Sequence, residues 1–161
     1  MKLSTSLWVG TFMFLFTIAR SFVSRGGIVA RGGHKATTRM MASSTVRSMN
    51  VAEFGDIVKD ESVRSMYQIV DVREDGELAS SKIQGDDILH LPLSTAGEWT
   101  KDIATGKLLD PAKPTLCLCR AGRRSMQLAQ FLIQQEFEEV YNIEGGMLSY
   151  YADVDRSVGP P

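Results

Sequence analysis

Seven consecutive residues, Cys119-Arg120-Ala121-Gly122-Arg123-Arg124-Ser125, bring together one thiol, three guanidinium groups, a glycine and a hydroxyl. A thiol attacks as thiolate, and a free cysteine, with a pKa of about 8.5, is only a few per cent ionised near neutrality. Positive charge from Arg120, Arg123 and Arg124 favours the thiolate. A helix starting just after Cys119 adds its dipole and unpaired N–H groups, which can form an anion nest. Cys119 is therefore the expected nucleophile. Arg120 and Arg124 are the better placed to guide an anionic substrate, and Arg123 reads equally as a solvated side chain. Main-chain N–H groups of residues 120–125, Ala121 and Gly122 included, would hold the charged sulfur. Gly122 relaxes the loop backbone and Ser125 can cap or accept at the helix start.

The neighbouring segments supply the support. Thr115-Leu116-Cys117-Leu118 reads as a buried strand ending at the thiol, and Leu128, Ala129, Leu132 and Ile133 recur at helical spacing behind it. Upstream, Asn50 with Glu53 has the spacing of a capping box before a helix carrying Val51, Phe54, Ile57 and Val58. Tyr67 to Val72 is a nearly continuous apolar strand, Glu74 to Ala79 a helical turn, and Ile88 to Leu91 a strand stopped by Pro92. A crossing helix containing Trp99 and Ile103 follows over Ser94 to Ala104, Trp99 reading equally as core or as pocket rim, then a turn-rich connection over Gly106 to Pro114. Glu139 to Ile143 is a last strand, Gly145-Gly146 a turn, Met147 to Tyr151 a short helix, and Asp153 to Pro161 a frayed polar tail. Alternating strands and helices predict an α/β fold, three layers with a mainly parallel central sheet. Ligand sites in such sheets lie beyond the carboxyl ends of the strands, where Cys119 falls.

Cys119 to Ser125 resembles the active-site loop of the rhodanese (sulfurtransferase) family, a Cys-Arg-x-Gly-x-Arg pattern closed by Ser or Thr. Ile69-Val70-Asp71-Val72-Arg73-Glu74 is similar to the family's Asp-Val-Arg-Glu segment, and Leu91-Pro92-Leu93 to its third-strand exit. Val140-Tyr141-Asn142-Ile143-Glu144-Gly145-Gly146-Met147 is similar to its last strand and Gly-Gly turn, so the resemblance runs from about Met49 to Tyr151. It implies a rhodanese-like fold, a persulfide on Cys119, substrate binding by residues 120–125, and an Asp71–Arg73 pair that buttresses the loop or ties strand to loop. It also implies thiosulfate or another persulfide as donor, with cyanide, thioredoxin, glutathione or a sulfur-acceptor protein as acceptor, and no cofactor. Ser81-Lys82-Ile83-Gln84-Gly85-Asp86 departs from the family's Gly-His-Ile-Pro-Gly-Ala. Protein tyrosine phosphatases and arsenate reductases place an arginine six residues after the cysteine, where this chain has Ser125. The competing expectation is a rhodanese-like binding module in which transfer is incidental.

Charge is divided unevenly. Residues 1–50 hold seven of the 18 Lys and Arg and none of the 19 Asp and Glu, leaving 11 basic against 19 acidic in the remaining 111 residues, a net charge of −8. A cationic pocket in an acidic body suits a small anion and argues against nucleic acid or an anionic membrane as partner. Two cysteines without paired His or Cys spacing give no zinc pattern, so no metal is expected, and Cys117 reads as core. A monomer is expected.

Lys2 followed by the apolar run Leu7 to Ala19 has the layout of a signal peptide over residues 1–21, with Ala19 and Ser21 before a cut at Phe22. Residues 22–46 are basic, hydroxylated and free of acid, similar to the second part of a bipartite plastid leader. The folded domain is expected over 47–152, with 153–161 as tail. Secretion, a mitochondrial destination, or a cytosolic product started at Met40 or Met41 are the alternatives.

Overall fold

The computed structural model describes residues 45–161; the signal-peptide expectation, and the plastid-leader expectation up to residue 44, lie outside the described residues. Five parallel strands, β1 (Arg47–Met49), β2 (Gln68–Asp71), β3 (Ile88–His90), β4 (Thr115–Leu118) and β5 (Val140–Ile143), form one sheet in the order β1-β5-β4-β2-β3. Six α-helices accompany them: α1 (Val51–Lys59), α2 (Glu61–Arg64), α3 (Asp75–Ser80), α4 (Ala96–Ala104), α5 (Arg123–Gln134) and α6 (Gly146–Asp153).

Side-chain alternation along the central strands builds the two cores. Val70, Val72, Cys117 and Cys119 pack with Trp99, Ile103, Leu128 and Leu132 of α4 and α5. Ile69, Leu116, Leu118 and Ile143 pack with Phe54, Ile57, Met147 and Tyr150 of α1 and α6. Both faces of β4 are therefore covered, which is why its residues are buried without interruption and all but Thr115 are apolar. The second core also holds the edge-on ring contact of Phe54 and Tyr150, with centroids 5.6 Å apart.

The expected strands and helices are present within a residue or two, with four departures. β1 joins the edge of the sheet by pairing with β5, an extension too short to carry an alternation signal. α2 interrupts the run between α1 and β2, started by Asp60, whose carboxylate accepts from Ser62 N and Val63 N. Only half of the expected capping box forms at α1: Asn50 Oδ1 accepts from Glu53 N at 2.9 Å. The end of the chain is not frayed. Arg156–Val158 is a 3₁₀ turn capped by Asp155, and Val158 O accepts from Lys82 N at 2.9 Å.

The Ser81 segment, where the chain departs from the family pattern, is thereby held from two sides. Arg73, 1% exposed, donates Nη1 to Ser81 O at 2.9 Å, and its other guanidinium nitrogens to Asp71 at 2.7 to 3.1 Å. The Asp71–Arg73 pair thus ties the end of β2 to the Ser81 segment, and none of these bonds reaches the Cys119 loop. His90 Nε2 bonds Arg73 O at 2.7 Å, and Trp99 Nε1 donates to Pro92 O at 3.0 Å, so both act as framework. The Ser81 hydroxyl is buried without a partner. An unsatisfied buried hydroxyl costs on the order of 1 kcal/mol, so Ser81→Ala is expected to stabilise the fold by about that amount in urea titration; a lower midpoint would contradict this.

Candidate active site

β4 ends at Leu118, and Cys119 follows at the carboxyl edge of the sheet. Gly122, at φ +84°, turns the chain into α5, whose buried Leu128, Ala129 and Leu132 fix it against the sheet. The loop wraps back over the sulfur. Gly122 N donates to Cys119 Sγ at 3.1 Å and Ser125 Oγ lies 3.2 Å from the same atom. Of the main-chain groups expected to hold the sulfur, the Gly122 N–H is the one already bonded to it. The amino end of the 12-residue α5 faces the thiol, and its dipole favours negative charge there.

The loop is held from outside by α6. Met147 N donates to Cys119 O and Leu148 N to Arg120 O, each at 2.9 Å. These bonds turn the Cys119 and Arg120 carbonyls toward α6, which points the N–H of the same peptides, on Arg120 and Ala121, to the opposite side. Close approach requires Gly146: a β-carbon there would drive into Cys119 O and the Arg120–Ala121 peptide. In the sequence this glycine looks like a turn former; its second role is set by what packs on it.

The three arginines are unequal. Arg124, expected to guide substrate, makes a bidentate pair with Glu77 of α3, both N–O distances 2.6 Å. Arg120 is exposed and donates Nη2 to Pro161 O at 3.3 Å. Arg123 is exposed and its side chain has no hydrogen bond or ion pair among the described residues, so its guanidinium is the uncommitted one. Cys119, Arg120, Ala121, Arg123, Arg124 and Gln127 line a mouth of about 360 Å³ above the sulfur. That space takes a small anion and not a folded polymer. Cys117 lies in the core below, and burial, with the neighbouring Cys119 charge adding to it, pushes its thiol upward. It behaves as packing.

Two residues of the site escaped the sequence reading. Glu77 is one turn into α3 and joins the end of the Asp-Val-Arg-Glu segment to the loop; its signal was the Glu74-x-x-Glu77 spacing of a capping box, which the structure forms. Asn142 accepts from Ser125 Oγ at 2.7 Å, and its signal was a polar residue inside an otherwise apolar last strand.

The Arg124 hydrogen bond is the largest influence holding the Glu77 carboxyl well down, to about 2 from an ordinary 4.5. A depressed carboxyl stabilises the fold fully above its unfolded value and loses that contribution as pH falls toward the folded one. With both side chains a quarter or so exposed, screening leaves about 1 to 2 kcal/mol. Glu77→Gln should lower the melting temperature at pH 7 and flatten the wild-type loss of stability between about pH 4.5 and pH 2. An unchanged acid limb in thermal melts at stepped pH would refute the pairing.

Residues 50–153 match the family model described as a rhodanese-like domain. A chloroplastic rhodanese-like/PpiC domain-containing protein of Arabidopsis thaliana is 39% identical over 113 residues, 70% of this chain; the chain spans only 36% of that protein. A thiosulfate sulfurtransferase of Actinobacillus pleuropneumoniae is 26% identical over 104 residues, 65% of this chain and 85% of that one. Among solved structures, a rhodanese-related protein of Thermoplasma volcanium is 29% identical with TM-score 0.51, covering 67% of this chain and 93% of its own. A yeast chain described as a protein tyrosine phosphatase of the rhodanese family shares the fold, at 18% identity and TM-score 0.52, over 70% of this chain and 90% of its own.

Proposed function

The chain belongs to the rhodanese-like family, and from that membership we propose that it is a sulfurtransferase carrying sulfane sulfur as a persulfide on Cys119, with thiosulfate as one competent donor. The observation that carries this reading is the sulfur's setting: a thiol at an α-helix N-terminus, approached by Gly122 N–H and Ser125 Oγ, under a small mouth with one free guanidinium. In the first step the Cys119 thiolate attacks the outer sulfur of thiosulfate. A new S–S bond forms as the donor's S–S bond breaks, and sulfite leaves with the bonding electron pair. A nucleophilic acceptor such as cyanide, a thiol or a protein then attacks the terminal sulfur, and Cys119 departs again as thiolate. Splitting the transfer at a covalent intermediate gives ping-pong kinetics. Developing negative charge is met by fixed N–H groups and needs little reorganisation.

Arg123 anchors the donor's sulfonate in this reading, since Arg124 spends its charge on Glu77 and serves to position the loop. The phosphatase reading fits less well, because the residue six positions after Cys119 is the buried Ser125 and not an arginine free to wrap a phosphate. A plastid destination for the full chain is part of the same proposal, supported by the basic acid-free leader and by the chloroplastic relative. A fluorescent fusion to residues 1–50 tests it, and diffuse cytosolic fluorescence would count against it.

The enzyme test is intact mass after incubation with thiosulfate. A gain of about 32 Da is expected, discharged by cyanide and absent in Cys119→Ser, while Arg123→Ala should need about tenfold more thiosulfate for half-loading. No added sulfur on the wild type, with partner binding unaffected by Cys119→Ser, would turn the assignment to a binding module.

A further inference from the structure

Ser125 carries one hydroxyl proton and faces two acceptors. Its Oγ is 3.2 Å from Cys119 Sγ and 2.7 Å from Asn142 Oδ1, and the group is fully buried, so no water relieves the competition. With the amide in this orientation the proton belongs to the shorter bond, to Asn142, and Ser125 shows the sulfur only lone pairs. That arrangement suits a protonated thiol, whose S–H can donate to Oγ. It does not suit a thiolate or a persulfide anion, which would have the Gly122 N–H as donor but would face lone pairs on Ser125. Turning the Asn142 amide over reverses the chain: Nδ2 donates to Ser125 Oγ, and Ser125 must give its proton to the sulfur. Asn142 can do so because it also lines a cleft with Gly122, Met126, Glu144 and Gly145, so either end of the amide has somewhere to face.

Resting on the reading of Cys119 as sulfur carrier, we propose that Asn142 is a positioning residue. By the direction of its amide it sets whether Ser125 offers the sulfur an acceptor or a donor. The chain runs S–H to Oγ–H to Oδ1 in the thiol state and Nδ2–H to Oγ–H to S⁻ in the charged one. The proton lost from sulfur leaves to solvent or base, and the Ser125 and Asn142 protons are only redirected. β5 places Asn142 for this, in register with Cys117 of β4, two residues before the thiol. The charged and titratable groups around the sulfur are Arg120, Arg123, Arg124, Glu77, Cys117 and Glu144; no side-chain bond joins any of them to Ser125 or Asn142.

The test reads the thiol and not sulfur transfer, so it separates this proposal from the enzyme assignment. Iodoacetamide alkylation of Cys119 is followed at pH 7 by peptide mass. Asn142→Asp offers oxygens at both ends, keeps the Ser125 proton, and should slow alkylation about tenfold; Ser125→Ala should slow it by a similar factor. Combined in one chain, the two changes should be no slower than Ser125→Ala alone. An undiminished rate in Asn142→Asp, or a further tenfold loss in the double variant, would overturn the proposal, the latter because it would mark a direct effect of the added charge. Should Asn142→Asp not fold, the wild-type side-chain amide resonances decide: those of Asn142 should shift over the pH range in which Cys119 becomes reactive, and stay fixed in Ser125→Ala. Amide resonances that ignore that range in the wild type would equally overturn it.

Discussion

The clasp between the Cys119 loop and the start of α6 is the constraint from which the site follows. Two carbonyls, of Cys119 and Arg120, are claimed by Met147 N and Leu148 N, donors that α6 itself cannot satisfy because they lie in its first turn. Each bond therefore serves both partners: it completes the helix end and fixes the loop. With those carbonyls turned outward, the loop's inner surface is left to N–H groups and to the Ser125 hydroxyl. The whole arrangement tolerates no β-carbon at Gly146, at φ +55° and against the Cys119 carbonyl. Chemistry at the sulfur thus depends on a contact with no charge and no reactive group in it.

Electrostatics in the cup follow from how charges are spent. Three arginines in five residues suggest a strongly cationic site, but Glu77 neutralises Arg124 through two short bonds. What that pair gives up in attraction for substrate it returns as rigidity, because Glu77 also accepts from Glu74 N, and Glu74 in turn holds Ser94. The loop is thereby bound to α3 and to the turn before α4. Positive potential is concentrated at the exposed Arg120 and Arg123, at the rim, where it can meet a small anion without closing over the thiol.

Much of this was legible in the chain. Continuous apolar runs marked the buried parallel strands, the arginine loop marked the thiol, and the spacing of Leu128, Ala129 and Leu132 marked the helix behind it. What could not be read depends on contacts between distant segments. The 3₁₀ turn near the end of the chain looks like loose polar sequence until Lys82 meets Val158 O. Arg124 looks free until Glu77 arrives from 47 residues upstream. β1 offers three residues, with one buried side chain, and is defined by its neighbour more than by its own composition.

That edge strand bears on how the chain can mature. β1 begins at Arg47 and Met49 enters the second core, so removal of a leader is harmless to the body only if the new amino end lies at or before residue 47. Trimming a few residues further would bare the hydrogen-bonding edge of β5, an open template for another chain to pair with. A product begun at Met40 or Met41 keeps the strand, whereas one begun at Met49 forfeits it. The fold itself therefore draws the line that any processing protease must respect.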